Sequence, residues 1–188
     1  HTHIRLRLTP ALLDLVRSGE LDPHVTDIAE RAGVSHRSIF RYFDDLGDLV
    51  RAAIEFEVAR CIHLAEVPDI GAGPLNRRID SWIESRIRLF SAAYQLLRVA
   101  RYRAVDIPSV EDGMKTVYHL GRSRMNVHFA PEIEALGAEG DLMLDAGFIM
   151  TGFESYDLQC RVLEHSTEKI RQVWALALHE IFTRSPVA

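Results

Sequence analysis

The chain has 188 residues, 26% of them charged, and a formal net charge of −5. This length allows one well-buried core, or one small and one medium core. The negative charge excludes a polybasic protein that binds nucleic acid by bulk attraction, and every apolar run is far shorter than the roughly 20 residues of a transmembrane helix. Cys61 and Cys160 lack metal-binding spacing, and no signal-peptide pattern opens the sequence, so we expect a cytoplasmic protein.

The first third of the chain predicts four helices, because no segment shows the sustained alternation of a strand. Gly33 suits the left-handed backbone that ends a helix, and Ser35 offers an oxygen that caps the next one. Asp45 and Asp48 have the spacing of a capping box for the fourth helix. We expect these helices at about residues 8–16, 25–32, 36–42 and 46–65, with an inward stripe on the fourth formed by Leu49, Ala53, Phe56 and Ile62.

The rest of the chain is also predicted to be helical, which gives an all-α fold. Residues 68–74 contain two prolines and two glycines and form the clearest break. The expected helices after it span about 75–90, 92–103, 110–129, 141–163 and 167–182. In the last of them, apolar residues recur at i, i+3, i+4 and i+7, which is typical of an amphipathic helix.

The stretch 25–43 has the pattern of a helix, a tight turn and a short second helix. Ile28, Ala29 and Ala32 give the first helix an apolar face. The second helix then turns polar donors outward, namely His36, Arg37, Ser38 and Arg41. Donor-rich side chains on a short rigid helix suit the major groove of DNA.

The same stretch resembles the DNA-binding domain of TetR-family transcriptional regulators. The resemblance rests on Asp27-Ile28-Ala29, Ala32-Gly33-Val34-Ser35 and Phe40-Arg41-Tyr42-Phe43, in that order after a first amphipathic helix. It implies a three-helix DNA-binding domain at residues 1–46 and a larger helical domain at residues 47–188 that binds a small-molecule effector and forms a homodimer. The function implied is a repressor that the effector releases from a double-stranded DNA operator, without a membrane partner.

Within this resemblance, the N-terminal part of the second helix points into the groove and brings His36 and Arg37 nearest to the base edges. Arg37 can pair bidentately with a guanine, and hydroxyls and positive charge nearby suit phosphates. The predicted DNA-binding residues are Thr26, Ser35, His36, Arg37, Ser38, Arg41 and Tyr42. Two alternatives stay open: Ser35 as a pure helix cap, and Arg41 in a salt bridge with a neighbouring aspartate.

Two positions depart from the pattern of the family. Phe40 stands where a tyrosine commonly touches phosphate, and Leu46 stands where a lysine commonly opens the fourth helix. Asp44, Asp45 and Asp48 add negative charge around that position. We therefore expect DNA binding that is weaker, more selective or more sensitive to salt than that of a typical member.

An effector pocket needs apolar walls with a few polar groups. The predicted pocket residues are Trp82, Arg86, Phe90, Tyr94, Arg98, Tyr118, His119, Arg122, Met125 and Phe148. For each single aromatic residue, plain core is the favoured alternative. A buried arginine among them needs a carboxylate partner such as Asp145 or Glu154, or an anionic ligand. The alternative is that Arg86, Arg98 and Arg122 extend to solvent.

The last two helices are the predicted dimer interface, since two from each subunit can form a four-helix bundle. Trp174 and Leu178 would contact the partner, while Leu142, Ala146 and Ile149 pack within their own domain. Small residues allow close approach, so the predicted interface residues are Gly147, Thr151, Ser155, Trp174 and Leu178. The alternative is that Trp174 lies wholly within the core of one subunit.

No nucleotide-binding, serine-hydrolase or zinc-protease motif is present, and the histidines lack the spacing of a metal site on a helix. We therefore predict a protein that is not an enzyme and holds no cofactor or metal. The rival function is an all-helical ligand-binding or interaction protein with degenerate DNA binding.

Overall fold

The computed structural model of the chain describes residues 2–184, with side chains from residue 7 onward. This part of the chain is built from α-helices and two 3-10 turns without a β-strand, as the all-α prediction requires. The helices are α1 (Thr2–Arg17), α2 (Val25–Ala32), α3 (His36–Ile39), α4 (Leu46–Cys61), α5 (Leu75–Arg103), α6 (Pro108–His128), α7 (Ala130–Ala135), α8 (Gly140–Met150), α9 (Phe153–Arg161) and α10 (Thr167–Thr183), and the 3-10 turns are Ile62–Ala65 and Gly137–Glu139. Residue 1 and residues 185–188, at the outer ends of the two predicted domains, lie outside the described residues.

The prediction places two divisions between helices wrongly. The expected break at Ser91 does not occur, and α5 runs through it as one helix. The Ser91 hydroxyl bonds with the Tyr156 hydroxyl at 2.8 Å, so it does not compete for the helical backbone. Conversely, the helix expected over residues 141–163 is interrupted at Gly152, whose backbone is extended with φ −80° and ψ 170°.

One compact unit comprises the residues up to Ile62 together with Ala93–Lys115. Its core is a single apolar cluster in which the predicted inward faces of the first helices meet. The cluster includes Leu8, Leu12, Ile28, Ile39, Phe43 and Leu49, each at most 2% exposed, and Leu96 and Val99 from α5. Each such side chain contributes about 1.5–3 kcal/mol of burial free energy, which fixes α2 and α3 against α1 and α4.

The predicted inward stripe of α4 is correct for Leu49 and Ala53 and wrong for Phe56 and Ile62, which are 48% and 37% exposed. The buried row instead continues at four-residue spacing from Ala53 to Glu57. Phe56 lies beside this row, so its ring faces away from the core of the unit.

Glu57 can occupy that row because two arginines bind its carboxylate. Arg60 donates to Glu57 from the same helix at 2.8 Å, and Arg17 donates from α1 at 3.2 Å. The hydrogen bond from Arg60, followed by that from Arg17, keeps the pKa of the Glu57 carboxyl below its usual value despite burial. A buried charge is tolerated here because it is paired.

The second compact unit comprises His63–Ala92 together with the residues from Thr116 onward. Its core is rich in aromatic rings. The Phe90 ring centroid lies 5.6 Å from those of Phe153 and Tyr156 and 6.4 Å from that of Trp174. These edge-on and tilted contacts are the arrangements that aromatic quadrupoles favour.

Within the second unit, His128 holds the break that precedes α5. Its Nδ1 accepts a hydrogen bond from the Gly71 amide at 2.9 Å, and its Nε2 lies 2.9 Å from the Arg78 carbonyl oxygen. Nδ1 as acceptor and Nε2 as donor define the neutral imidazole. Burial lowers the pKa of His128 from its ordinary value. Arg78 completes the cluster by donating to the His128 carbonyl at 2.8 Å and pairing with Glu132.

The two compact units do not coincide with the predicted domains, because the first unit passes residue 46 and takes parts of α5 and α6. The boundary between residues 46 and 47 remains a prediction about which part of the chain binds DNA and which part binds the effector and dimerises. No helix within residues 2–184 is long and apolar enough to cross a membrane.

Candidate DNA-binding surface and effector site

The turn between α2 and α3 has the backbone that the sequence predicts. Gly33 adopts the left-handed conformation with φ 62° and ψ 41°. The Val34 amide donates back to the Ala29 carbonyl at 3.0 Å and the Gly33 amide to Glu30 at 3.0 Å, which closes α2. Glycine is required here because a side chain at positive φ is strained.

Arg7 on α1 also binds this turn, and the sequence analysis missed it. Its guanidinium donates to the Ala32 carbonyl at 2.5 Å and to the Gly33 carbonyl at 3.3 Å. These carbonyls lie at the end of α2, where helical partners run out. Arg7 and the end of α2 are about 25 residues apart in the sequence. Hydrophobic periodicity within α1 does not reveal such a contact.

Ser35 caps α3, as predicted. Its Oγ accepts from the Ser38 amide at 3.2 Å and lies 2.8 Å from the Ser38 hydroxyl. The helix is shorter than expected and ends at Ile39 rather than Tyr42. The amides of Tyr42 and Phe43 both donate to the Ile39 carbonyl, at 2.9 and 3.0 Å, so the chain turns there to bury Phe43.

Most of the predicted DNA-binding residues share an exposed surface of α2, the turn and α3. Thr26, Ser35, His36, Arg37 and Arg41 are exposed, while Ser38 and Tyr42 are half-buried. In the described part of the chain, no carboxylate forms an ion pair with Arg37 or Arg41. The alternative of an Arg41 salt bridge to a neighbouring aspartate is therefore not observed, and both guanidinium groups keep their donors for an external acceptor.

Phe40 contributes to the same surface. It is 45% exposed, and its ring centroid lies 5.1 Å from that of His36. The two side chains are one helical turn apart, so the contact follows from their spacing. It restricts the imidazole to the exposed side of α3.

The acidic residues before α4 are largely engaged in local bonds. Asp45 caps α4 by accepting from the Asp48 amide at 2.7 Å, as predicted. Asp48 reaches back to the Asp44 amide at 3.4 Å and forms an ion pair with Arg51. Half-buried Leu46 packs against the core of the first unit. The Asp45 cap and the Asp48–Arg51 ion pair therefore offset part of the negative charge that the sequence places around Leu46.

The predicted effector residues divide between the two units. Tyr94 and Arg98 belong to the first unit, where the Arg98 guanidinium lies 5.8 Å from the Tyr94 ring. The remaining eight belong to the second unit, and they are Trp82, Arg86, Phe90, Tyr118, His119, Arg122, Met125 and Phe148. The single set of ten predicted from helical spacing is therefore two sets in the structure.

Three members of the second set, Trp82, Phe90 and Phe148, lie around a fourth, Arg86. The Arg86 guanidinium carbon lies 4.7 Å from the Trp82 ring and 5.8 Å from the Phe90 ring. A Cβ at Gly121 would lie 3.7 Å from Arg86 Nη1 and 3.1 Å from the Phe148 ring, which brings α6 and α8 to the same place. Arg86 is 6% exposed. The alternative in which it extends to solvent is wrong.

Burial, reinforced by the positive charge of Arg124, lowers the pKa of the Arg86 guanidinium to about 10. It stays cationic at neutral pH. Its Nη2 donates to the Ala65 carbonyl at 3.4 Å, and its buried Nε has no hydrogen bond.

The other polar members of the second set already have partners or face solvent. Half-buried Arg122, one of the predicted arginines, donates to the predicted partner Asp145 and also to Asp141, each at 2.5 Å. Tyr118 donates to Glu154 at 2.7 Å. His119 is exposed, and Met125 is fully buried core.

The expectation that Trp174 and Leu178 stay uncovered within one chain is wrong. Both are 0% exposed, and the Trp174 indole donates to Ser155 at 3.1 Å. Thr151 and Gly147 are also used internally, since the Thr151 hydroxyl donates to the Gly147 carbonyl at 2.9 Å. These residues belong to the aromatic core described above, and the bulky Trp174 indole fills part of that core.

The residues expected to pack internally on α8 are exposed instead. Leu142 is 67% and Ile149 is 71% exposed, and Ala146 lies between them on the same face. On α10, Leu176 is 66% exposed. The buried and exposed faces of these helices are thus the reverse of the prediction.

Among the described residues, no three His, Cys, Asp or Glu side chains come together as a metal site would require. A surface groove of about 350 Å³ lies on α5 and α10 and is lined by Arg77, Asp80, Ser81, Glu84 and Arg171. It contains none of the predicted effector residues, and Arg171 already pairs with Glu84 at 2.8 Å.

Residues 24–53 match the sequence model of the bacterial regulatory proteins of the tetR family. The fold is similar to the crystal structure of a transcriptional regulator from Rhodococcus sp. Rha1, with a TM-score of 0.74, 19% sequence identity and coverage of 98% of each chain. No curated protein sequence matches the chain significantly. The family match falls on the helix-turn-helix whose geometry is described above, and the structural match extends the fold to the whole chain. Residues 24–53 therefore match the tetR family, as the sequence predicted, and the whole chain shares the fold of the Rhodococcus protein.

Proposed function

We propose that this regulator is a homodimeric repressor that binds a double-stranded DNA operator and is released from it by a small-molecule effector. The observation that carries the proposal is the donor surface of α2, the turn and α3. Its two arginines form no ion pair among the described residues. Arg37 stands on α3, and Arg41 lies in the turn after α3 between the buried Ile39 and Phe43. Rigid presentation of donors is what sequence readout in the major groove requires.

The DNA contacts divide into two kinds. His36 and Arg37 lie in the first turn of α3 and are assigned to base edges, with Arg37 paired to a guanine. Thr26, Ser35, Ser38, Arg41 and Tyr42 are assigned to the phosphate backbone or to its immediate support. Ser35 can serve as cap and phosphate donor together, because the Ser38 amide uses only an acceptor site on its oxygen.

The homodimer is assigned to the exposed apolar face of α8, formed by Leu142, Ala146 and Ile149, together with Leu176 of α10. This revises the residues predicted from sequence while keeping the same pair of helices. An isologous contact between two copies covers such a face. It also provides two recognition helices for two half-sites, which raises affinity through linkage of the two binding events.

The effector is assigned to the second unit, around Trp82, Arg86, Phe90 and Phe148. Helices α5 and α6 each supply residues to both units. Binding that favours one arrangement of these helices shifts the population of dimers whose recognition helices match the operator. In this proposal the ligand-free dimer represses at the operator, and effector binding releases it from the DNA.

The test is selection of bound sequences from a random duplex pool with the purified protein. We expect a palindromic consensus with half-sites about one DNA turn apart or slightly more. An Arg37→Ala, Arg41→Ala double variant that keeps the wild-type Tm is the matched control. If the wild type enriches no sequence over this variant, the rival function gains support, namely a helical ligand-binding or interaction protein with degenerate DNA binding.

A further inference from the structure

Arg86 is a buried cation for which the described part of the chain provides no anion. Its surroundings are the faces of two aromatic rings, at 4.7 and 5.8 Å from the guanidinium carbon, and the like charge of Arg124. Its one hydrogen bond, to the Ala65 carbonyl, is long at 3.4 Å, and Nε has none. Burial of a charge in this way is unfavourable unless an opposite charge joins it.

A shortage of carboxylates does not explain the missing partner. Other arginines of the second unit are paired, as in Arg78 with Glu132, Arg122 with Asp141 and Asp145, and Arg171 with Glu84. Arg86 differs from them in lying among Trp82, Phe90 and the Phe148 side of Gly121. The unit thus pairs even the buried Arg78 with a carboxylate, whereas Arg86 has no carboxylate partner among the described residues.

We propose that Arg86 binds the carboxylate of the effector, and that the effector is an organic acid with an apolar body. This rests on the proposed function, which places an effector in the second unit. Nε and Nη2 form one edge of the guanidinium, and a carboxylate pairs with such an edge through two parallel hydrogen bonds. Trp82, Phe90 and Phe148 provide the apolar walls that a small ligand needs around one fixed polar group.

The carboxylate competes with the Ala65 carbonyl for Nη2. A charged, bidentate acceptor displaces a neutral one held at 3.4 Å. Ala65 ends the 3-10 turn that continues directly from α4, and α4 follows α3 along the chain. The Arg86–Ala65 hydrogen bond is then present in the ligand-free protein and lost in the carboxylate-bound protein. A ligand shifts the balance between two conformations only when its free energy of interaction differs between them.

The test uses the full chain and matched pairs of probes: benzoate with benzamide, phenylacetate with phenylacetamide, and octanoate with octanamide. Binding is measured by calorimetric titration and by the shift in Tm. We expect at least one carboxylate to bind and its carboxamide to fail. Arg86→Gln lowers carboxylate affinity by about ten- to hundredfold, the range for loss of a charged, hydrogen-bonded pair. Arg86→Lys, which keeps the charge and loses the fork, gives an intermediate loss.

Arg88→Gln is the matched control, because half-buried Arg88 lies on the same helix and donates to the neighbouring Glu66 carbonyl at 3.0 Å. This variant keeps wild-type carboxylate affinity. Arg86→Met removes the buried charge, so it raises the Tm of the ligand-free protein while abolishing carboxylate binding. A fall of several degrees in that Tm would make Arg86 a structural residue and overturn the proposal.

The proposal is also overturned if no probe binds, if carboxamides bind as well as carboxylates, if Arg86→Gln keeps full affinity, or if chloride and phosphate stabilise the protein equally. Operator binding by the ligand-free protein is measured separately. Operator binding without a carboxylate response refutes only the assignment of Arg86. Carboxylate binding at Arg86 without operator binding refutes the proposed repressor and leaves the anion site standing.

Discussion

The guanidinium of Arg7 joins α1 to the turn between α2 and α3, with hydrogen bonds of 2.5 Å to the Ala32 carbonyl and 3.3 Å to the Gly33 carbonyl. The turn sets the direction in which α3 leaves α2. One cation therefore links α1 to the orientation of α3. A Cβ at Gly33 would lie 2.9 Å from the same guanidinium, so glycine serves both the left-handed backbone and this contact.

Arg7→Met should lower the free energy of unfolding by about 1 kcal/mol, the usual net value of a partly exposed hydrogen bond. It should weaken operator binding several-fold, because the angle of α3 is less well fixed. Urea unfolding and fluorescence anisotropy with an operator duplex measure the two effects. Arg7→Lys keeps the charge without the fork, so full recovery of DNA affinity in that variant would attribute the effect to charge alone.

Arg37→Ala should lower affinity for the selected operator by about 1–3 kcal/mol and relax preference at one base position, as loss of a bidentate guanine contact does. Arg41→Ala is the comparison, since both side chains are exposed and unpaired among the described residues. It should weaken binding to all duplexes alike and flatten the salt dependence by about one ion. Equal losses on operator and random duplex for Arg37→Ala would make that residue a phosphate contact.

Leu46→Lys should raise affinity for every duplex and steepen the dependence of log K on log salt by about 0.9, the value for one added phosphate contact. The half-buried position allows the lysine stem to keep part of the packing that Leu46 makes with the core. Anisotropy titrations over a range of salt concentrations measure the slope, and Leu46→Gln controls for loss of the apolar side chain. An unchanged slope would mean that the start of α4 does not approach the DNA backbone.

Stability of the protein should fall as the pH is lowered from 7.5 to 5.5, with His128 as one cause. Burial lowers the pKa of His128 in the folded state, so the unfolded chain, with a His pKa of about 6.5, binds its proton first. The stabilisation is present above the unfolded pKa and is lost as the pH falls toward the folded one. Protonation also puts a donor on Nδ1 opposite the Gly71 amide, next to the charges of Arg78 and Glu132.

Urea unfolding of the wild type and His128→Gln at several pH values isolates this contribution from those of the other histidines. The variant should be less stable at pH 7.5 and should lose less stability on acidification. Parallel pH profiles for the two proteins would assign the slope to other groups.

Leu142→Glu and Ile149→Glu should each give a folded monomer with little operator affinity, because they place a charge on the proposed interface without touching the core. Trp174→Glu should instead unfold the chain, since burial of an unpaired carboxylate in place of a packed indole is among the most destabilising of substitutions. Sedimentation velocity and circular dichroism distinguish these outcomes. A dimer that persists with both α8 substitutions would place the interface on another face.

The features that the sequence determined by itself are local ones. The left-handed Gly33, the Ser35 cap and the Asp45 cap are all present as predicted. Each depends on a few neighbouring backbone groups and on the chemistry of one side chain. The exposure of the donors on α3 was predictable for the same reason, because α3 is short and its apolar residues leave only one face for donors.

Only the tertiary structure decided which apolar face is covered. On α8 and α10 the sequence places apolar residues on more than one side, and periodicity does not say which side meets the core. The aromatic cluster around Phe90 draws in Trp174 and leaves Ile149 outside. The partner of a charged group is decided in the same way. Arg122 meets Asp145 and Arg86 meets Trp82, because such contacts depend on how separate helices pack, and spacing along one helix carries no information about its neighbour.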